Sequence, residues 1–203
     1  MKIVIIGASG TIGSAIVTAL KEQHQVIPVS RNSTDYPMDI EDPNSIRQVL
    51  TNIHSQYGAI DALICAAGSV AFKPFSQLED LDWQLGINNK LMGQINLVRI
   101  ASDYLAADAS ITLTSGILAE ENIVTGVSAG TVNAALHGFV TSVAPVLASQ
   151  LRINCVCPTV LEESMQIYSD YFPGFVPVSA QKVALAYLRS VLGIDTGQII
   201  KVY

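Results

Sequence analysis

Three closely spaced glycines form the first candidate site in the chain. Gly7, Gly10 and Gly13 follow the apolar run KIVII and open an amphipathic stretch. In such a turn, small residues let an anion approach bare backbone N–H groups, and the dipole of the following helix favours that anion. The pattern therefore predicts a site for the pyrophosphate of a dinucleotide. The predicted contacts are Gly7, Ser9, Gly10, Thr11, Ile12 and Gly13.

The residues after the second apolar run indicate which dinucleotide would bind. A site for NAD(H) places an acidic residue about 20 residues beyond the glycines, where it binds the ribose 2′-OH. This chain has Ser30, Arg31, Asn32 and Ser33 there. A guanidinium with hydroxyl and amide neighbours suits a 2′-phosphate, which a carboxylate would repel. The segment favours NADP(H) over NAD(H), and a solvated turn around Arg31 is the alternative.

Other titratable residues give weaker signals for chemistry. His24 and His54 lie towards the ends of predicted surface helices, where solvation is the simpler interpretation. The pairs Glu120-Glu121 and Glu162-Glu163 fall in predicted loops, and adjacent side chains there diverge. His137 lies on a long predicted helix, where a packed or interface histidine is favoured over a general base.

The elements that must position these residues alternate along the chain. We predict seven strands, which are KIVIIG, QVIPVS, residues 36–39, DALICAAG, SITLTS, LRINCVCP and QIIKVY. Helical stretches separate them, and right-handed crossovers of this kind produce a parallel sheet with helices on both faces. The expected fold is α/β, a Rossmann-type doubly wound sheet of order 3-2-1-4-5-6-7, in a single domain over residues 1–203.

The predicted helices cover Thr11 to Gln23, Asn44 to Tyr57, residues 81–105, residues 127–149 and Ser179 to Leu192. A long stretch without periodicity, Pro158 to Pro177, lies just past the sixth strand and contains four aromatic residues. Parallel sheets bind ligands outside the carboxyl ends of their strands, so this stretch is predicted to cover a substrate. We call it the lid.

Composition excludes several classes of protein. The 203 residues are half hydrophobic and only 14% charged, which excludes a disordered chain. The net charge is −6, and no cluster of Lys and Arg is present to neutralise nucleic-acid phosphates. The uncharged stretch 122–151 is too polar to span a membrane, and no export signal is recognisable. We expect a cytoplasmic protein with a small-molecule substrate.

The three cysteines do not form a recognisable functional set. Cys65, Cys155 and Cys157 are odd in number, and the C-x-C pair lies in an apolar run. This spacing matches neither a redox C-x-x-C motif nor a set of zinc ligands. We expect reduced core residues and no metal site.

Taken together, the motifs resemble the short-chain dehydrogenase/reductase family over nearly all of the chain. The glycine spacing is similar to the extended branch, whereas the remaining motifs and the short length are similar to the ordinary branch. The further cofactor contacts that the resemblance implies are Asp39, Ile40, Cys65, Ala66, Ala67, Gly68 and Pro158. It also implies an NADP(H)-dependent oxidoreductase acting on a small carbonyl or alcohol.

The resemblance fails at the residues that carry the family's chemistry. Family members use a Tyr and a Lys on the fifth helix, a Ser upstream and an Asn on the fourth helix, in which the Lys lowers the pKa of the Tyr. Ala129 stands at the Tyr position, Asn133 at the Lys position and Lys90 at the Asn position. Gly116, beside Ser115, stands at the Ser position. The ordinary proton relay is therefore absent.

Two hypotheses remain open for the function. In one, Lys90, Ser115 and Asn133 form a rearranged catalytic site, or the substrate needs no proton donor from the protein. In the other, the chain is a non-catalytic NADP(H)-responsive binding or regulatory protein. A desolvated Lys90 would have a lowered pKa, and an ion-paired or phosphate-facing lysine is the alternative. A sugar-nucleotide epimerase is disfavoured because that branch also uses the Tyr and Lys.

The predicted fifth helix has an apolar stripe between Val132 and Leu147. The resemblance implies a homodimer or homotetramer formed through the fourth and fifth helices, and the stripe is compatible with that use. Burial of the stripe against the sheet of the same chain is the alternative.

Overall fold

A computed structural model describes residues 1–203. Its centre is one sheet of six parallel strands in the order β2-β1-β3-β4-β5-β6. The strands are β1 Lys2–Ile6, β2 Gln25–Val29, β3 Ile60–Cys65, β4 Leu105–Thr114, β5 Leu151–Pro158 and β6 Ile199–Val202. The predicted doubly wound parallel sheet is confirmed, because helices lie on both of its faces.

Seven α-helices connect or follow the strands. They are α1 Thr11–Leu20, α2 Pro43–Tyr57, α3 Asp80–Gln84, α4 Gly93–Ala101, α5 Val127–Leu147, α6 Met165–Tyr168 and α7 Ala180–Leu192. Asp42 caps α2 by accepting a hydrogen bond from the backbone of Asn44, and Ser179 caps α7 in the same way from Lys182. No helix is both long and apolar enough to cross a membrane.

The sheet has one strand fewer than the seven predicted. Residues 36–39 form only an isolated bridge, in which Ser30 pairs with Pro37. Proline has no N–H to donate, so it does not continue a ladder. The segment lies beside β2 as the predicted third strand would, and the order of the other six strands is as expected.

The predicted helix over residues 81–105 is broken into different helical types. α3 leads into a π-helical segment, Leu85–Met92, and α4 follows it and ends at Ala101. Leu105, expected to end the helix, instead begins β4. Glycines bound the π-helical segment closely: a Cβ on Gly86 would lie 3.1 Å from Val132, and one on Gly93 would lie 3.0 Å from Ile40. The segment is thus pressed against α5 and the chain after β2, and it carries Lys90.

Two apolar layers enclose the sheet. On one face, 25 buried residues join α2, α4 and α5 to the strands, and on the other face 16 buried residues join α1 and α7 to them. All three cysteines are free and buried, as predicted. The apolar stripe of α5 packs against its own sheet, since Val132, Leu136 and Val140 are all at most 1% exposed.

Candidate active site

Two hollows meet at the carboxyl ends of the strands. The outer cleft, of about 310 Å³, runs between the glycine turn and Ser30–Asn32. The inner cavity, of about 360 Å³, lies between Lys90, Ala129 and the lid. Gly68 lines both of them, so the two hollows adjoin there, and we refer to them together as the groove. Ligands of doubly wound sheets bind at this edge.

The glycine turn at the centre of the groove is held by its own packing. Gly7 has a φ of +84°, and a Cβ there would lie 2.7 Å from the carbonyl oxygen of Ala66. A Cβ on Gly13 would lie 2.0 Å from the carbonyl oxygen of Gly7, whereas a Cβ on Gly10 would have no neighbour closer than 3.4 Å. No side chain caps the N-terminus of α1. Its first N–H groups are therefore free to bind an anion.

One end of the outer cleft presents the predicted 2′-phosphate ligands. Ser30, Arg31 and Asn32 line it, whereas Ser33 does not. The Arg31 guanidinium lies 3.8 Å from the Asp39 carboxylate and 4.0 Å from that of Glu41, and its side chain is 61% exposed. Exposed ion pairs of this length are weak, so Arg31 can turn towards a phosphate.

The segment after β3 forms the opposite wall, and sequence reasoning missed the residue that fixes it. Asn89 is buried, accepts a hydrogen bond from the Ser69 backbone at 2.7 Å and donates one to Glu41 at 2.6 Å. A neighbouring Asn88 has the same residue type, so no local signal separated the two. Of the predicted residues nearby, Ile40, Ala66, Ala67 and Gly68 line the outer cleft.

The remaining predicted cofactor contacts are placed elsewhere. Ile12 and Pro158 line the inner cavity, and Thr11 lines a separate surface groove. Asp39 faces Arg31, and Cys65 is fully buried at the end of β3. Burial raises the pKa of the Cys65 thiol to about 12. Cys65 therefore contributes to the core below the groove, and the structure does not bring its side chain into the groove.

Lys90 is the only charged side chain that lines the inner cavity. Its stem packs on Gly68, where a Cβ would lie 2.7 Å from its Cγ, and its ammonium donates to the carbonyl oxygen of Ser115 at 3.3 Å. Although the residue is half-buried overall, its ammonium lies in the apolar interior. Desolvation lowers its pKa to about 8, against an opposing effect of the nearby Cys155 and Cys157 thiols.

Ser115 joins Lys90 to a histidine that the sequence left ambiguous. The Ser115 hydroxyl lies 2.8 Å from Nε2 of His137, which is half-buried on α5. Burial lowers the pKa of His137, and the Glu120 carboxylate opposes that shift. His137 is one helical turn beyond Asn133, and this spacing was the available signal for its position. It does not line the inner cavity, so its contact with the groove is indirect.

Comparison with known proteins identifies the family of the chain. Residues 7–196 match the family model described as enoyl-(acyl carrier protein) reductase. The chain belongs to the short-chain dehydrogenase/reductase family. The resemblance read from the glycine turn and the later motifs is thereby confirmed.

Two solved structures show how closely the fold of this chain matches known proteins. The protein lin1944 from Listeria innocua is 43% identical, with a TM-score of 0.94 and full coverage of both chains. A small-chain dehydrogenase in complex with NADPH is 24% identical, with a TM-score of 0.85 and coverage of 100% of this chain and 96% of that one. The second likeness is one of fold.

Among curated proteins, 3-oxoacyl-(acyl-carrier-protein) reductase FabG from Thermotoga maritima is 26% identical over 138 residues. The match covers 64% of this short-chain dehydrogenase/reductase and 54% of the relative. The chain therefore spans about half the length of that reductase.

The positions of the family's catalytic residues are all in or beside the inner cavity of this chain. Ala129, at the Tyr position, is 1% exposed and adds only a methyl group to the wall. Gly116 faces Asn133, whose Nδ2 would lie 3.2 Å from a Cβ there. The structure brings Lys90, Ser115 and Asn133 to one cavity and supplies no acid on α5.

Two buried polar atoms on the cavity wall have no partner in the protein. They are Oδ1 of Asn133 and Oγ1 of Thr159. A buried polar group without a hydrogen bond costs about 1 to 3 kcal/mol, so a ligand that donates to these atoms would be favoured. Thr159 was missed from the sequence, because only its neighbour Pro158 belongs to the recognised motif.

Proposed function

We propose that this protein is an NADP(H)-dependent oxidoreductase that acts on a small carbonyl compound or alcohol. The observation that carries the proposal is the groove formed by these two adjoining hollows. It has Arg31 at one end, the uncapped N-terminus of α1 at its centre and Lys90 at the other end. A cation for a 2′-phosphate, free N–H groups for a pyrophosphate and a polar inner wall follow one another in the order that NADP(H) needs.

The groups that would hold the cofactor fit it chemically. Arg31, Ser30 and Asn32 would bind the 2′-phosphate, and Ile40 would pack on the adenine. The space above Gly10 leaves room for the pyrophosphate. The unpartnered oxygens of Asn133 and Thr159 would accept hydrogen bonds from the nicotinamide half. NADPH supplies a hydride when bound, and NADP⁺ accepts one.

The inner cavity would use a cation to favour reduction. Negative charge develops on a carbonyl oxygen when its carbon receives a hydride, and a fixed positive charge in an apolar site stabilises it strongly. The Lys90 ammonium donates to the backbone carbonyl of Ser115, and the hydroxyl of the same residue lies within hydrogen-bond distance of His137. With a pKa of about 8, Lys90 is mostly protonated at neutral pH. We assign Lys90, Ser115 and Asn133 to this rearranged site.

A non-catalytic NADP(H)-responsive protein is the second candidate. The observation that favours it is the loss of the family's acid and serine at Ala129 and Gly116. The groove would then bind the cofactor, and the lid would signal to another molecule that the cofactor is bound.

Assembly into a homodimer or homotetramer through α4 and α5 also remains a proposal. The buried stripe of α5 does not support it, but Val146 on the outer face of α5 is 72% exposed.

Binding of NADPH and NADH, measured by calorimetry, tests the cofactor part of the proposal. NADPH should bind at least tenfold more tightly than NADH. Arg31→Ala should weaken NADPH binding by about 1.5 to 3 kcal/mol, the value of a charge-assisted hydrogen bond, and leave NADH unchanged. Arg47→Ala, on an exposed position of α2, is the matched control. Equal affinities for both nucleotides in the unmodified protein would refute the preference.

A further inference from the structure

The inner cavity contains one phenol, which belongs to the lid. Tyr168 ends α6 and lines the cavity with Phe172, whereas the neighbouring Tyr171 lines a different hollow. The lid is closed at its base, where Leu161 pairs with Val178 and the Glu163 carboxylate accepts a hydrogen bond from Ala180 at 2.9 Å. The fold therefore brings Tyr168 from the lid and Lys90 from the π-helical segment to the same cavity.

Aromatic packing holds the Tyr168 ring in place. Its centroid lies 5.6 Å from that of Phe72, in the connection after β3, and 6.5 Å from that of Phe172. Rings at such distances and tilts attract one another. The same apolar cluster contains Ala129, whose single methyl group leaves the adjoining space free. Tyr168 and the position that lost its acid therefore belong to one apolar cluster and line the same cavity.

The other polar groups of the cavity are poor candidates for a proton donor. The Ser115 hydroxyl is committed to His137, and the Lys90 ammonium, which donates to the Ser115 carbonyl, has the role of stabilising charge on the substrate oxygen. Asn133 carries an amide, which is not an acid near neutral pH. The Tyr168 hydroxyl makes no hydrogen bond within the protein and is free to meet a substrate oxygen.

We propose that Tyr168 is the catalytic acid of this site, supplied by the lid to an oxygen that Lys90 stabilises. The inference rests on the proposed oxidoreductase function. The carbonyl carbon takes the hydride that NADPH supplies, and the π electron pair of the C=O bond moves to its oxygen. That oxygen then takes the proton of the Tyr168 hydroxyl, and the phenolate regains a proton from water. The net reaction consumes one carbonyl compound, one NADPH and one proton.

A measurement without turnover tests the position of Tyr168. The protein is labelled with 3-fluorotyrosine, and the ¹⁹F signals of Tyr168 and Tyr171 are assigned with Tyr168→Phe and Tyr171→Phe. The nicotinamide ring of NADP⁺ carries a positive charge, which changes the electric field at a phenol that it contacts. Saturating NADP⁺ should therefore shift the ¹⁹F signal of Tyr168 and leave that of Tyr171 unmoved. Bound NADP⁺ with no shift at Tyr168 would overturn the proposal.

Turnover then tests its role. NADPH oxidation is followed with a panel of aryl aldehydes and ketones, and loss of the phenol should lower kcat at least about 100-fold in Tyr168→Phe, with the Kd for NADPH unchanged. Tyr171→Phe, which removes a hydroxyl from the same aromatic cluster, should stay within about twofold. Equal rates in Tyr168→Phe and the unmodified protein would reject the role.

The two measurements separate this proposal from the one on which it rests. Failure of NADP⁺ and NADPH to bind would refute the proposed function itself. Binding without a shift of Tyr168 would refute the assignment of the acid alone. The ¹⁹F measurement needs no substrate, so it decides the position of Tyr168 even where no carbonyl in the panel is reduced.

Discussion

Lys90 shows how one residue changes the electrostatics of a family site. A lysine from the π-helical segment enters an apolar space beside three buried thiols, and a single carbonyl oxygen accepts a hydrogen bond from its ammonium. A charge held in this way is unfavourable for folding, because it loses hydration that the carbonyl replaces only in part. A catalytic role explains why this unfavourable free energy is retained, because the cation would stabilise negative charge that develops in the cavity.

This cost predicts a particular dependence of stability on pH. The folded state releases the Lys90 proton near pH 8, while an ordinary lysine does so near pH 10.5. Between these values the unfolded state binds more protons, so the contribution of Lys90 to the free energy of unfolding rises with pH. Lys90→Met should be more stable than the unmodified protein at about pH 7, and this advantage should shrink by about 2 to 3 kcal/mol by about pH 10.

Urea unfolding of both proteins at the two pH values measures the effect. Other groups also titrate in this range, and the difference between the two proteins cancels their contributions. Lys21→Met, at an exposed position after α1, is the control and should give a difference that does not vary with pH. A constant difference for Lys90→Met would show that the Lys90 ammonium is not desolvated.

At the scale of elements, the glycines of the turn meet two different requirements, close backbone packing and space for a ligand. The sequence pattern did not distinguish between them. Gly13 is needed because α1 approaches the backbone of Gly7 within contact distance, and a Cβ there would overlap it at 2.0 Å. Gly10 borders the outer cleft, and a Cβ there meets nothing closer than 3.4 Å. Gly13 is thus required by the packing of the turn, whereas Gly10 leaves space for a ligand.

Alanine at these two positions should therefore have different effects. Gly13→Ala should lower the free energy of unfolding by about 1 to 3 kcal/mol, since the clash involves backbone on both sides. Gly10→Ala should leave thermal unfolding nearly unchanged and weaken NADPH binding at least about tenfold, because its methyl group would fill the space for the pyrophosphate. Thermal unfolding without ligand and calorimetry with NADPH measure the two effects. Similar losses of stability in both variants would contradict the distinction.

The elements also show where sequence patterns stop being informative. Alternation of apolar runs and helices was enough for the parallel sheet, because each strand of a doubly wound sheet is buried on both faces. It was not enough for residues 36–39, where one proline ends the pairing after a single bridge. The π-helical segment could not be predicted from the sequence either, because its periodicity differs little from that of an α-helix. Its close contacts at Gly86 and Gly93 depend on the tertiary fold.

At the scale of the whole molecule, the site depends on contacts between distant parts of the chain. The glycine turn, Arg31 and the residues after β3 were recognisable because each is local. The contact of Ser115 with His137 spans 22 residues, and the packing of Phe72 on Tyr168 joins the lid to the connection after β3. Such pairs have no local pattern, and only the fold brings them together. The residues that border the outer cleft were therefore easier to recognise from the sequence than the contacts that shape the inner cavity.

The rate of NADPH oxidation in the presence of carbonyl compounds, compared between the unmodified protein and Lys90→Met, tests the central claim most directly. A catalytic site predicts that at least one compound of the panel is reduced. It also predicts that Lys90→Met lowers that rate by about 100-fold or more, while the Kd for NADPH stays the same. Tight binding of NADPH with no reduction of any compound, or with equal rates in both proteins, would contradict a catalytic role for the inner cavity.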